Sequence, residues 1–325
     1  MNKPLLSISN LKVDVNSIHG VYHTVRDINL RINEGEIHGI VGESGCGKTM
    51  TAKSIIRLHN ESNTYCGGEI TYYYHNNKYE ILNMNKKKLS EIRGNEISMV
   101  FQDPITTLNP LIRIGEQISE TIRYHEHLNN EDAKNKAIGL LESVGIQPGA
   151  VRYKQYPFEF SGGMLQRAII AMAISCNPRL LIADEPTTAL DVTMQAQILH
   201  LLLELRTNHN MGILIITHNF GVIAEICDSV SVMYAGQIVE TGTTEEIFHS
   251  PCHPYTKALI NSIPKSGMTD KKLISIPGFP PALNKEIVGC AFSSRCEFAT
   301  EKCMKEAPVL TSSTSTHSYL CHNPL

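Results

Sequence analysis

Apolar and polar positions alternate along Leu5 to Val15 and again along Asp27 to Ile32, with the turn-like Ser17-Ile18-His19-Gly20 between them. A period of two is the mark of strands with one face buried, so an antiparallel opening is predicted. Ile37 to Val41 is instead nearly continuous in apolar residues, as a strand covered on both faces must be. It runs directly into Gly42-Glu43-Ser44-Gly45-Cys46-Gly47-Lys48-Thr49 and then a helix-like segment to about Leu58. Glu69 to Ile81 is alternating and Tyr-rich, hence more strand, and Ile97 to Phe101 is another buried strand closing on Gln102-Asp103-Pro104. From Ile114 to about Val144 the apolar spacing turns helical, predicting a mainly helical insertion that ends near Gly145. Beyond Arg179, strand Leu180 to Ala183, helix Val192 to Asn208, strand Ile213 to Thr217 and a helix from about Phe220 alternate, which predicts a parallel-sheet α/β core. Strands Val230 to Met233 and Gln237 to Glu240 follow. The remainder is punctuated by Ser and by Pro251, Pro254, Pro264, Pro277, Pro280 and Pro281, and reads as an appended tail of roughly 75 residues, too short to be stable alone without a staple.

Composition narrows the class. The chain has 325 residues, 42% of them hydrophobic, enough for one large core or two smaller ones. A formal net charge of -3 and the absence of Trp argue against a strongly basic nucleic-acid surface. No run of 18 apolar residues occurs, and Met1 to Leu11 lacks the basic-then-apolar order of a secretory signal. A cytosolic location is therefore expected, with any work at a membrane done by docking on a protein that spans it. In that reducing compartment nine cysteines do not predict a disulfide framework.

Three segments carry phosphate chemistry. Gly42 to Thr49 fits G-x-x-x-x-G-K-[ST], in which glycines let Glu43, Ser44, Gly45, Cys46 and Gly47 turn backbone N–H groups toward phosphates. Lys48 would bridge the β- and γ-phosphates and Thr49 would ligate magnesium. Leu180 to Asp184 is a hydrophobic strand ending in a carboxylate placed to hold magnesium through water, and Glu185 beside it is the natural general base. Phe160-Ser161-Gly162-Gly163-Met164-Leu165-Gln166-Arg167 opens a second helix whose free N–H groups can hold another phosphate. Two half-sites on one chain suggest two chains facing each other.

The order Gly42 to Thr49, Gln102, Ser161-Gly162-Gly163, Asp184-Glu185, Ala189-Leu190-Asp191 and His218 resembles an ABC ATPase cassette over about residues 5 to 250. The resemblance implies ATP hydrolysis, with Gln102 touching magnesium and the attacking water, and His218 bonding the γ-phosphate and orienting Glu185. It also implies that Ser161, Gly162 and Gly163 hold the ATP of a partner subunit and that Asp191 lies on the loop crossing that interface. An aromatic residue upstream of the phosphate loop stacks on adenine in this family; here the choice lies between Tyr22 and His19. Phe160 and Met164 depart from the commonest Leu-Ser-Gly-Gly-Gln wording and are expected to be packing positions.

Val100 to Pro104, Leu108-Asn109-Pro110, Ala183 to Asp191, His253-Pro254-Tyr255-Thr256, Ile276-Pro277-Gly278 and Pro280-Pro281 are together similar to the ATP-binding subunits of oligopeptide/dipeptide ABC importers and their nickel, metallophore and glutathione relatives. The implied fold is an α/β cassette over residues 1–250 with an antiparallel β subdomain and a helical subdomain at about 105–175, followed by an importer-type extension over 251–325. The implied partners are a second, related ATPase subunit, two membrane permeases and, indirectly, an extracellular substrate-binding protein, with the chain peripheral on the cytoplasmic face. A soluble ABC ATPase acting on nucleic acid is the reading of another class. Cys290, Cys296, Cys303 and Cys321 gather in the tail and suggest a metal centre, although they lack paired C-x-x-C knuckles. Similar importer tails carry a four-iron four-sulfur cluster; zinc and unmodified thiols are the other readings. Cys46, Cys66, Cys176, Cys227 and Cys252 read as buried or loop thiols.

Overall fold

The computed structural model describes residues 3–75, 77–188, 190–263 and 276–325, so Ala189 and Pro264 lie outside the described residues. Its strands are β1 Pro4–Ser17, β2 Gly20–Asn33, β3 Ile37–Val41, β4 Thr64–Tyr74, β5 Asn77–Glu80, β6 Ile97–Val100, β7 Leu180–Asp184, β8 Gly212–Thr217, β9 Ser229–Tyr234, β10 Gln237–Thr243, β11 Leu310–Ser312 and β12 Ser318–Leu320. The chain divides into two compact units.

The first unit comprises Asn33–Glu36 and Met84–Ile215. In it β6 and β7 pair in parallel, Ile97 opposite Leu180, with β8 on the other side of β7. Every residue of β6, β7 and β8 is buried, the expected result of continuous apolar runs that must be covered on both faces. The helical part contains helices Ile114–Glu126 and Asn130–Ser143, whose inward faces bury Ile118, Ile122, Ala133, Ala137 and Leu141. Each Ile or Leu among these removed from water contributes about 1.5–3 kcal/mol before conformational entropy is counted, and each Ala methyl about 0.8 kcal/mol or less. Asn129 caps the second helix by accepting from the N–H groups of Glu131 and Asp132.

The second unit comprises Pro4–Ile32, Ile37–Asn83 and Ile216–Leu325. The strand pair predicted at the start is a long hairpin of β1 and β2, extended to a four-stranded sheet in the order β2-β1-β4-β5. Glu69 to Ile81 is two strands rather than one: His75 takes a φ of 45°, the chain reverses, and Tyr74 pairs with Asn77. The helix after the phosphate loop stops at Ile55, short of Leu58, because Arg57 enters the left-handed region with φ 48°. β3 pairs in parallel with β9, and β9 is antiparallel to β10. The tail is sewn to this sheet, since β12 pairs with β10, Glu240 opposite Tyr319, and β11 pairs with β12. A strand pairing therefore anchors the extension in addition to whatever its cysteines hold.

Candidate functional site

The phosphate loop lies between β3 and helix Lys48–Ile55. Gly47 has φ 109°, and a Cβ there would fall 2.3 Å from the Thr24 carbonyl oxygen. At Gly42 a Cβ would meet the Met233 carbonyl oxygen at 2.1 Å, so both positions admit only glycine. No side chain caps the start of this helix, and a helix N-terminus of this kind favours an anion. Lys48 is buried, and its Nζ donates to the carbonyl oxygens of Gly42 at 2.8 Å and Glu43 at 2.9 Å. Burial pushes the Cys46 thiol up, against the pull of neighbouring Lys48. Tyr22 is half-buried near the start of β2, whereas His19 sits exposed in the turn before it.

Glu43 is held in a way its sequence neighbours do not announce. Its carboxylate receives both Nη atoms of Arg295, at 2.7 and 2.8 Å, and its backbone N–H donates to the Tyr255 hydroxyl at 3.0 Å. Arg295 and Tyr255 were missed by motif reading because the former lies 252 residues away. The signal present was His253-Pro254-Tyr255-Thr256 itself, which carried no indication of its target.

In the first unit β7 delivers Asp184, 1% exposed, at its C-terminal end, and the chain turns sharply at Glu185, whose φ is 49°. A left-handed Glu is uncommon and costs on the order of 1 kcal/mol, so the surroundings must hold it. Glu185 Oε2 accepts from Gln102 Nε2 at 3.1 Å and from Thr188 Oγ1 at 2.8 Å. Gln102 and Glu185, predicted from separate segments, are thus in direct contact, and Thr188 joins them. In the second unit His218 is exposed, directly before Asn219, which caps helix Phe220–Ile226.

Ser161 and Asp191 are both N-caps. Ser161 Oγ accepts from Met164 N–H at 3.4 Å, and Asp191 Oδ1 accepts from Met194 N–H at 2.9 Å. Their helices, Gly162–Ala173 and Val192–His209, run close together, with Arg167 donating to Gln197 at 2.6 Å. Ser161, Gly162 and Asp191 are exposed, while Phe160 is buried and Met164 half-buried, which fits packing positions.

A family model described as "ABC transporter" matches residues 25–188, and one described as "Oligopeptide/dipeptide transporter, C-terminal region" matches residues 239–303. The oligopeptide transport ATP-binding protein OppD of Haemophilus influenzae is 46% identical over 317 residues, 98% of this chain and 96% of that protein. A putative peptide import ATP-binding protein of Brucella abortus is 45% identical over 308 residues, 95% of this chain and 92% of that protein. The chain belongs to the ABC transporter family. It is an ATP-hydrolysing subunit of that family, with the C-terminal region of its oligopeptide/dipeptide branch. The solved dimeric bacterial ABC cassette MJ0796 is similar with a TM-score of 0.64 and 25% identity, covering 74% of this chain and 98% of that one. CbiO1 of Clostridium perfringens is similar with a TM-score of 0.62 and 26% identity, covering 76% and 92%. Among the described residues no helix is long and apolar enough to cross a membrane.

In the extension of this ABC subunit, Cys290, Cys296, Cys303 and Cys321 line one cavity together with His253 and Asn323. Burial pushes the Cys321 thiol up to about 11, and the three other thiols add to that rise. Asn323 Nδ2 donates to Cys303 Sγ at 3.5 Å, a bond that also suits a ligating sulfur. The Nε2 of His253 is buried without a hydrogen-bond partner. Thiols near enough to oppose one another's ionisation, in a buried pocket with a donor to sulfur, fit a thiolate-bound metal group. Of the other five thiols, Cys46, Cys176 and Cys227 are buried and Cys66 and Cys252 partly so.

Proposed function

We propose that this chain hydrolyses ATP to power import of di- or oligopeptides through two membrane permeases. The reading rests on one observation above the rest: a C-terminal region of the oligopeptide/dipeptide transporter type is present and is hydrogen-bonded to the phosphate loop itself, through Arg295 and Tyr255. A nickel, metal-chelate or glutathione importer would share the cassette, since cargo touches other chains.

Residues 1–250 act as the nucleotide-binding domain, with the helical subdomain at about 105–175 receiving the permeases, and 251–325 as the extension. Gly42 to Thr49 cradle the triphosphate, Lys48 supplying charge to the β- and γ-phosphates, and Tyr22 stacks on adenine. Thr49, Gln102 and Asp184 hold Mg2+, which when bound neutralises phosphate charge. Glu185 accepts a proton from the attacking water, positioned by Gln102, and His218 bonds the γ-phosphate. Ser161, Gly162, Gly163 and Asp191 act on the ATP of a second, related ATPase subunit, so closure of the pair depends on nucleotide. Cys290, Cys296, Cys303 and Cys321 hold a four-iron four-sulfur cluster that fastens the tail.

Deleting the gene and assaying uptake of labelled peptides and metal chelates tests the cargo: lost peptide uptake is expected, and lost nickel or chelate uptake alone would replace this reading. Permeases should co-purify with the chain, whereas hydrolysis stimulated by DNA or RNA would overturn transport altogether. Iron and acid-labile sulfide should be found in anaerobically purified protein; zinc in their place would refute the cluster.

A further inference from the structure

The thiol-lined cavity and the phosphate loop converge on one residue, Glu43. One wall of the cavity is the turn from Cys290 to Cys296, and the residue before Cys296 is Arg295, whose guanidinium makes the paired contact with the Glu43 carboxylate at 2.7 and 2.8 Å. Another wall begins at His253, and two residues further on Tyr255 receives the backbone N–H of Glu43 at 3.0 Å. Two residues adjoining the cavity walls, Arg295 and Tyr255, thus hold the loop, one through the Glu43 side chain and one through its main chain.

Both grips are stiff. Arg295 is buried, with Nε donating to the Pro277 carbonyl at 2.9 Å and Nη1 to the Tyr234 hydroxyl at 3.2 Å. Tyr255 is fully buried, and Phe292, inside the Cys290–Cys296 turn, packs on Tyr234 and Tyr255 at centroid distances of 5.3 and 5.2 Å. A close-packed interior transmits displacement instead of absorbing it. The charge logic has a definite sign as well. Arg295 neutralises a carboxylate on a loop that binds a polyanion, and moving it away leaves that carboxylate to repel phosphate.

We infer that the occupant of the four-thiol cavity sets the affinity of the phosphate loop for ATP, with Arg295 and Tyr255 as positioning residues that act through Glu43. This rests on the reading that the thiols hold a metal group. Ligation fixes the Cys290–Cys296 turn, the turn fixes Arg295, and Arg295 fixes and neutralises Glu43. Emptying the cavity loosens the turn and weakens ATP binding.

The test is Mg·ATP affinity of the full chain by calorimetry, measured after anaerobic purification, after chelator stripping and after reconstitution, with iron, sulfide and zinc assayed at each stage. Stripping should weaken wild-type binding by about fivefold or more, the scale of ordinary coupling between sites, and reconstitution should restore it. Arg295→Gln should bind ATP more weakly from the outset, keep its metal content and show no further loss on stripping. Adding Glu43→Gln to Arg295→Gln should recover affinity, because the unneutralised charge is gone; a merely structural arginine gives no such rescue. Equal wild-type affinity before and after stripping overturns the coupling, as does an Arg295→Gln protein that responds to stripping like wild type. Anaerobic protein without metal overturns the cysteine reading and the coupling with it, and wild-type ATP affinity in Arg295→Gln then overturns the positioning role separately.

Discussion

Gln102 Nε2 donates to Glu185 Oε2 at 3.1 Å, across 83 residues of sequence, and Thr188 Oγ1 donates to the same oxygen at 2.8 Å. Two neutral donors on one oxygen fix the rotation of the carboxylate, and the left-handed backbone at Glu185 sets the direction from which it projects. A carboxylate held in this way needs little reorganisation to take a proton from an attacking water, the role proposed for Glu185.

Glu185→Gln should therefore keep the backbone and both contacts in place while removing the base. ATP binding is expected to persist and hydrolysis to fall by about 100-fold or more. Single-turnover kinetics with radiolabelled ATP measure both, and a wild-type turnover rate would take Glu185 out of the reaction.

Tyr22 is half-buried and His19 exposed, so the tyrosine face is the better platform for a base. Tyr22→Ala should raise the dissociation constant for ATP by about tenfold, the lower range of a lost base stack, with His19→Ala near wild type. Titration with a fluorescent ATP analogue reads this directly, and the reverse ranking would exchange the two assignments.

Gly162 faces open space: a Cβ there has nothing within 4 Å, unlike Gly42, where backbone stands in the way. The fold gives no steric reason for glycine at 162, whereas a second chain closing on this surface would. Gly162→Ala is expected to leave thermal stability and ATP binding by the single chain unchanged while lowering hydrolysis by about tenfold in the assembled pair. Normal hydrolysis in the assembled variant would argue that no phosphate approaches Gly162.

Glu246 ties helix Thr244–His249 to the tail. Burial alone would raise its pKa, but hydrogen bonds from the Thr243 backbone and from Thr314, Thr316 and Thr243 hydroxyls outweigh it and hold the carboxyl at about 2. A folded pKa below the unfolded one gives stability that is fully present above about pH 4.5 and lost as pH falls toward 2. Glu246→Gln should flatten the acid limb of the stability profile in that window, measured by urea unfolding at a series of pH values. An acid limb identical to wild type would assign the effect to other carboxylates.

Much of the architecture was open to reading along the chain because its signals are local. The alternation in Leu5 to Val15 and the continuous apolar runs of β3 and β7 depend on periodicity alone. The break of Glu69–Ile81 into β4 and β5 escaped notice because alternation persists on both sides of His75, and only its positive φ reverses the chain.

The phosphate loop, its lysine and the acidic end of β7 were legible in the sequence alone, because contiguous spacing on a strand–loop–helix frame leaves few geometries open. Tertiary structure decided what those pieces touch. Thr188 and Gln102 meet on one oxygen of Glu185, four cysteines separated by up to 31 residues line one cavity, and Arg295 closes on Glu43 from 252 residues away. Such contacts arise from how strands pair and side chains pack, and neither periodicity nor spacing encodes which distant partner a buried charge will find.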